Sequence, residues 1–112
     1  MDKLIGIVGP CGAGKTTLAN HLKSLGYRVK HIAQEHSYVP YMWQKLTNPD
    51  ILIYLEVSYE NTLLRRNLTW SQAEFDEQLR RLAHARQNAD LIIDTNLIDA
   101  QGVLQKALDF LT

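Results

Sequence analysis

The feature that most constrains this chain is a glycine-rich segment from Gly9 to Thr16, which reads GPCGAGKT. Before it, Leu4 to Val8 is a short run rich in β-branched residues, typical of a strand buried on both faces of a sheet. After it, leucines recur at helical spacing from Leu18 to Leu25, and Gly26 suits a left-handed helix end. The sequence therefore predicts a strand, a glycine loop and a helix in succession.

Strand-like and helix-like segments continue to alternate beyond the first helix. The predicted elements are an edge strand from Arg28 to Ala33, a short helix after Pro40, a strand from Ile51 to Val57, a helix from Ser58 to about Arg66, a helix from Ser71 to about Asn88, a strand from Leu91 to Asp94 and a final helix capped by Asp99. Such alternation favours a short parallel sheet with helices on both faces. We expect an α/β fold, a three-layer α/β/α sandwich, with ligands bound beyond the carboxyl ends of the strands.

The segment from Gly9 to Thr16 matches the pattern G-x-x-x-x-G-K-[ST] at every fixed position, in the required context between strand and helix. Small residues let consecutive backbone N–H groups surround a phosphate, and the helix start adds its positive dipole end. Lys15 would reach the β- and γ-phosphates, and the Thr16 hydroxyl would ligate Mg²⁺. We expect ATP with Mg²⁺ to bind at Gly9, Cys11, Gly12, Ala13, Gly14, Lys15, Thr16 and Thr17.

Length and charge narrow the remaining classes of function. A chain of 112 residues has the commonest domain size, so we predict one nucleotide-binding domain over residues 1–112. Twelve basic and twelve acidic residues cancel, which disfavours a nucleic-acid partner. The apolar run from Leu4 to Val8 is too short for a signal-peptide core or a membrane span, so we predict a cytoplasmic protein without a membrane partner. The single cysteine, Cys11, suits a reduced thiol.

With these segments in view, the chain resembles the nucleotide-kinase-like branch of P-loop nucleoside triphosphate hydrolases, which contains thymidylate, adenylate and shikimate kinases. Residues 49–58 look like the strand that leads towards the lid of such enzymes, and residues 80–96 are similar to the return from the lid. The resemblance implies a kinase that transfers phosphate from ATP. It makes Arg65 and Arg66 lid arginines that neutralise the transferred phosphoryl group, and it places Thr95, Asn96 and Leu97 against the adenine base.

Two departures from this family concern the acceptor and the lid. Relatives have a further strand with an acidic Walker B-type residue, and a helical insertion that binds the acceptor. Only residues 36–50 lie at the corresponding place here, so both features are expected to be deleted. The lid is reduced to about Asn67 to Ser71, which leaves less cover against water.

Several side chains outside the loop have both a functional and an ordinary interpretation. Glu35 either orients metal-bound water or accepts a proton, or it is an exposed loop carboxylate. Glu56 either joins a lid arginine or the metal, or it reaches water. Arg65 and Arg66 are otherwise a solvated helix end. One or two of Arg80, Arg81 and Arg86 are expected to face the site. The aromatic cluster from Tyr38 to Trp43 either stacks a small planar substrate, covers a partner subunit, or packs to close the truncated sheet. The histidines His21, His31 and His84 are interpreted as ordinary surface or boundary residues.

The first functional hypothesis is a small ATP-dependent phosphotransferase with Lys15, Glu35, Arg65 and Arg66 as catalytic residues and an unidentified small-molecule acceptor. The second is a nucleotide-binding sensor or complex subunit with little turnover, which the missing acidic strand favours. A regulatory GTPase is disfavoured because Thr95 to Asp99 lacks the lysine of a guanine-reading segment. Homo-oligomerisation is left open, since an exposed Tyr38 to Trp43 cluster would favour self-association.

Overall fold

A computed structural model describes residues 3–66 and 69–112, except for the side chain of Arg66. Part of the predicted lid, at residues 67 and 68, therefore lies outside the described residues. The elements are β1 (Leu4–Val8), α1 (Lys15–Ser24), β2 (Arg28–His31), a 3₁₀ turn (Gln34–His36), a π-helical turn (Trp43–Thr47), β3 (Ile51–Glu56), α2 (Tyr59–Arg66), α3 (Gln72–Gln87), β4 (Leu91–Asp94) and α4 (Ala100–Leu111).

The four strands form one parallel sheet in the order β2-β1-β3-β4. Strand β2 pairs directly with β1, with Ile5 opposite Val29, so no further strand separates them. This pairing agrees with the expected deletion of the strand that carries the acidic residue in relatives. The predicted second strand was two residues too long, although the Ile32 amide still donates to the Ile7 carbonyl.

Alternating side chains of the strands point to two cores, because successive residues of a strand face opposite sides of the sheet. On one face, Ile5, Ile7 and Ile53 pack in a cluster with the inner residues of α1 and α4. On the other face, Val8 and Tyr54 pack in a second cluster with residues of α3 and with Trp43. The α/β/α sandwich is thus confirmed, and both cores hold the carboxyl ends of β1 and β3 in place.

The helix ends follow the predicted signals. Ser71 and Glu74 form a reciprocal capping box at the start of α3, and Asp99 accepts a hydrogen bond from the Gly102 amide at the start of α4. Gly26 has a φ of 94° just after α1, the left-handed conformation that suits a helix end. None of the helices in the described ranges is long and apolar enough to cross a membrane.

The predicted aromatic cluster divides between core and surface. Trp43 is buried, and its indole N–H donates to His84 Nδ1 at 3.0 Å. Tyr38 and Tyr41 are exposed, with 85% and 51% of their surface accessible. Trp43 therefore serves to close the second core, which is the packing role considered for this cluster, while the two tyrosines stay available at the surface.

Candidate functional site

The phosphate loop, residues 9–16, connects β1 to the first turn of α1. Gly14 is the N-cap of α1, with a φ of 96°, and no side chain caps the helix start. An added Cβ at Gly14 would meet no atom within 4 Å, so the backbone conformation rather than lack of space demands glycine. The first N–H groups of α1 have no acceptor within the helix. This helix start can therefore bind an anion.

Gly9 serves a different purpose at the end of β1. A Cβ at this position would lie 2.6 Å from the backbone oxygen of Leu55, closer than packing allows. Glycine therefore lets the loop leave β1 directly against β3.

Lys15 and Glu35 form a buried ion pair beneath the loop. Lys15 Nζ lies 3.0 Å from Glu35 Oε2, and each side chain is only 5% exposed. Lys15 Nζ also donates to the carbonyls of Gly9 at 2.6 Å and Pro10 at 3.1 Å. The other carboxylate oxygen, Oε1 of Glu35, is buried without a hydrogen-bond partner. The interpretation of Glu35 as an exposed loop carboxylate was therefore wrong, because β2 pairs with β1 and brings its end next to the loop.

Cys11 is held by Gln78, a buried residue of α3. The Cys11 amide donates to Gln78 Oε1 at 3.0 Å, and Gln78 Nε2 donates to Cys11 Sγ at 3.3 Å. His36 Nε2 lies 3.9 Å from the same sulfur. The sequence analysis missed Gln78, although its helical spacing from Phe75 and Leu82 places an amide on the core-facing side of α3.

A cavity of about 670 Å³ opens above the loop. It brings together five predicted groups that the sequence spreads over most of the chain: Lys15, Thr16, Glu35, Arg65 and Thr95. Its wall comprises Cys11, Gly12, Ala13, Gly14, Lys15, Thr16, Thr17, Leu18, His31, Glu35, His36, Arg65, Thr95, Ile98, Asp99, Ala100 and Val103. The start of α4 and His31 are thus lining elements that were not predicted.

Arg65 and Thr95 form a second part of the cavity wall, called here the arginine wall, which comes from α2 and from the residue after β4. Arg65 Nη1 donates to Thr95 Oγ1 at 2.8 Å, and the Arg65 guanidinium also bonds to the Thr95 carbonyl. Thr95 is buried, and its hydroxyl donates to the Glu56 carbonyl at 2.6 Å. The second predicted lid arginine, Arg66, has its side chain outside the described part of the chain.

Asn96 and Leu97, the other two residues expected against the adenine base, do not line this cavity. Asn96 Oδ1 accepts hydrogen bonds from the Ser58 amide and Asn61 Nδ2, both at 2.8 Å. Asn96 lines instead a smaller cavity of about 380 Å³. Leu97 is 96% exposed. Of these three residues, the structure brings only Thr95 next to the loop.

The charged residues expected near the site are mostly engaged elsewhere. Glu56 pairs with Arg86 at 2.9 Å, and neither lines the larger cavity. Among the described side chains, Glu56 therefore pairs with Arg86, whereas the lid arginine Arg65 bonds to Thr95. Arg80 pairs with Glu77. Arg81 comes closest to the loop, since its guanidinium donates to the Glu35 carbonyl and lies 4.5 Å from the centre of the Tyr38 ring.

His31 stands at the end of β2 and faces the charged pair. Partial burial at the cavity wall is the main cause that lowers the pKa of His31, and the positive charge of Lys15 lowers it further. The opposing charge of Glu35 raises the pKa by less. The ring therefore favours its neutral form beside the loop. The sequence shows only an isolated histidine on a predicted edge strand, so this effect could not be predicted from it.

Comparison with solved structures shows the fold. Seventeen chains match, and one is shikimate kinase from Acinetobacter baumannii in complex with shikimate. It is 21% identical to this chain and has a TM-score of 0.64, with 97% of this chain and 92% of that chain covered. Both therefore share the α/β fold of nucleotide-kinase-like P-loop proteins.

Comparison of sequences shows the family. No curated protein matches the chain. The sequence model of a family described as AAA domain matches residues 5–97, which span β1 through the end of β4 and include the loop. The chain therefore belongs to this AAA-domain family of P-loop NTPases.

Proposed function

We propose that the chain binds ATP with Mg²⁺ and transfers phosphate to a small molecule or a nucleotide. One observation carries the proposal: a helix start without a side-chain cap lies beside a buried Lys15–Glu35 pair in the cavity that Arg65 also lines. A cavity of about 670 Å³ lies within the range of small-molecule sites, roughly 300–1,000 Å³. The loop amides and Lys15 supply the donors that phosphates require.

The residues present fit Mg²⁺·ATP. Thr16 and Thr17 are exposed at the cavity, so their hydroxyls are accessible to a metal ion and to phosphate. Lys15 would exchange the carbonyls of Gly9 and Pro10 for phosphate oxygens. When bound, Mg²⁺·ATP supplies the transferable phosphoryl group and a metal charge that offsets its negative charge.

Glu35 would gain its chemical role from the same movement. A Lys15 ammonium that turns to phosphate leaves the buried Glu35 carboxylate free to accept a hydrogen bond from another donor. In that state Glu35 would accept the proton of an acceptor hydroxyl or orient water on the metal. Arg65 would neutralise charge on the transferred group from the arginine wall.

The acceptor is proposed only as a class. The solved relative carries shikimate, and a small polar molecule with a hydroxyl group would suit a cavity lined by Glu35 and Arg65. The organisation of residues 1–112 as one domain and a cytoplasmic location stay predictions.

A second candidate is a nucleotide-binding sensor or complex subunit with little turnover. The direct pairing of β2 with β1 favours it, because this sheet lacks the place where relatives carry a further acidic strand. Both candidates require nucleotide binding, and they differ only in transfer.

Transfer is tested with radiolabelled ATP, Mg²⁺ and a panel of nucleosides, nucleotides and small hydroxylated acids and sugars. The matched variants are Lys15→Met and the double change Lys15→Met with Glu35→Leu. The double variant removes both charges, so it avoids the unfolding that a single buried, unpaired charge would cause. Label on an acceptor with wild type but with neither variant supports the kinase. Binding of ATP without transfer to any acceptor favours the sensor, and a wild-type protein that binds no nucleotide rejects both.

A further inference from the structure

Three potential metal ligands meet at the mouth of the phosphate loop. Cys11, Glu35 and His36 each offer one ligand atom, and these atoms lie within 4.8 Å of one another. Cys11 Sγ is 3.9 Å from His36 Nε2, which is 3.8 Å from Glu35 Oε2. Cys11 belongs to the loop, whereas Glu35 and His36 belong to the turn after β2, so the cluster joins two segments of the chain.

The spacing is close to that of a tetrahedral zinc site. With Zn–S near 2.3 Å and Zn–N or Zn–O near 2.0 Å, tetrahedral angles place sulfur and nitrogen about 3.6 Å apart and nitrogen and oxygen about 3.3 Å apart. The two separations that involve His36 Nε2 exceed these values by a few tenths of an ångström, and all three ligand atoms lie within 4.8 Å of one another. The side chain of His36 is 61% exposed and can rotate to close the difference.

Two further observations point to a ligand here. Glu35 Oε1 is buried without a hydrogen-bond partner, on a side chain that is 5% exposed, so the carboxylate has unused capacity to accept a cation. The Gln78 side-chain amide donates to Cys11 Sγ at 3.3 Å, which fixes the position of the sulfur. Gln78 also fixes the Cys11 amide, the kind of support that orients a metal ligand.

We propose that Cys11, Glu35 and His36 form a binding site for a divalent transition metal of the Zn²⁺ class, distinct from the Mg²⁺ position at Thr16. Thiolate and imidazole ligands select such ions, whereas Mg²⁺ prefers oxygen ligands and retains its water. On binding, the bond from sulfur to the metal forms and the thiol proton passes to solvent. Three protein ligands leave a fourth position at the cavity for water or a phosphate oxygen.

Binding is measured on the full chain without nucleotide, by competition between the protein and a chromophoric chelator for Zn²⁺. The variants are Cys11→Ser and His36→Ala, and His21→Ala serves as the matched histidine control outside the cluster. We expect each ligand variant to lose more than about 100-fold in Zn²⁺ affinity, beyond the 10–100-fold that changes in supporting residues cost. The control should keep wild-type affinity, and excess Mg²⁺ should not displace Zn²⁺.

Substitution with Co²⁺ gives a second, spectroscopic readout of the ligand set. A thiolate-to-cobalt charge-transfer absorption in wild type, absent from Cys11→Ser, would identify the sulfur ligand. A Co²⁺ complex without that absorption, or equal Zn²⁺ affinity in wild type and Cys11→Ser, overturns the proposal. Both measurements omit ATP and acceptor, so their failure is separate from failure of the phosphotransferase proposal.

Discussion

The two walls of the larger cavity are held by different kinds of interaction. On the loop wall, Lys15 and Glu35 are buried charges that neutralise each other next to backbone carbonyls. On the arginine wall, Arg65 is exposed and bonds to Thr95, which in turn bonds to the carbonyl of Glu56. The loop wall thus combines ligand binding with stability of the fold, whereas the arginine wall can exchange one partner for another at low cost.

The largest expected effect is on the loop wall. Lys15→Met leaves Glu35 buried without its cation, and we expect the free energy of unfolding to fall by about 3–5 kcal/mol. The double change Lys15→Met with Glu35→Leu should recover most of this loss, because it removes both charges. Urea unfolding of the three proteins measures the effect. A loss under about 1 kcal/mol for Lys15→Met would show that the pair is hydrated and that the two walls do not differ.

Arg65 gives the corresponding test on the arginine wall. If the proposed role holds, Arg65→Ala lowers phosphoryl transfer by about 10²–10³-fold, because a charge aimed at the transferred group is lost. ATP affinity and the urea midpoint should change little, since the side chain is exposed. Thr95→Val, which removes the hydroxyl partner of Arg65 but keeps its carbonyl, is the matched variant and should have the smaller effect on transfer. A loss of stability equal to that of Lys15→Met would contradict the comparison.

Glycine is required at two positions of the loop for different reasons, lack of space at one and backbone conformation at the other. Gly9→Ala places a Cβ against the Leu55 carbonyl, and we expect a loss of about 1–3 kcal/mol from overpacking in addition to its positive φ. Gly14→Ala meets no atom and should lose only the roughly 1–2 kcal/mol of a left-handed backbone conformation. Thermal or urea unfolding ranks the two. The reverse order would show that β1 and β3 can separate at the loop.

The smallest effect is the pH dependence from His31. Its pKa is lowered in the folded protein by partial burial and by Lys15, so the unfolded chain takes up the proton first as pH falls. The free energy of unfolding should therefore decrease as pH falls below about 6.5 towards the folded-state pKa. His31→Gln should flatten that part of the profile in urea unfolding between pH 5 and 8. An unchanged profile would mean that the ring stays hydrated in the folded protein, so that neither burial nor Lys15 lowers its pKa.

The predictable parts of the molecule are those set by neighbours along the chain. The glycine loop, the capping box at Ser71 and the cap at Asp99 depend on a few consecutive residues, so the sequence indicates them directly. The alternation of strands and helices likewise predicted the parallel sheet.

The parts that could not be predicted depend on which strands become neighbours. Burial of Glu35 follows from the pairing of β2 with β1, and nothing near Glu35 in the sequence reports that pairing. Gln78 of α3 bonds to Cys11, from which it is 67 residues distant in the sequence. The family resemblance placed Asn96 against the adenine base, but its side-chain oxygen accepts hydrogen bonds from the Ser58 amide and from Asn61 Nδ2. Long-range hydrogen bonds therefore decided the details of the candidate site.

The direct pairing of β2 with β1 also shapes the order in which this fold can form. Helix α1 connects the adjacent strands β1 and β2, and helices α2 and α3 connect the adjacent strands β3 and β4. Each of these two halves of the sheet therefore closes a shorter stretch of chain than the pairing of β1 with β3, which joins the halves. Loop-closure entropy therefore favours early contacts within each half. Lys15 and Glu35 lie in the first half, and Arg65 and Thr95 lie in the second. Completion of the cavity thus coincides with the union of the halves, and nucleotide binding would report the last stage of folding.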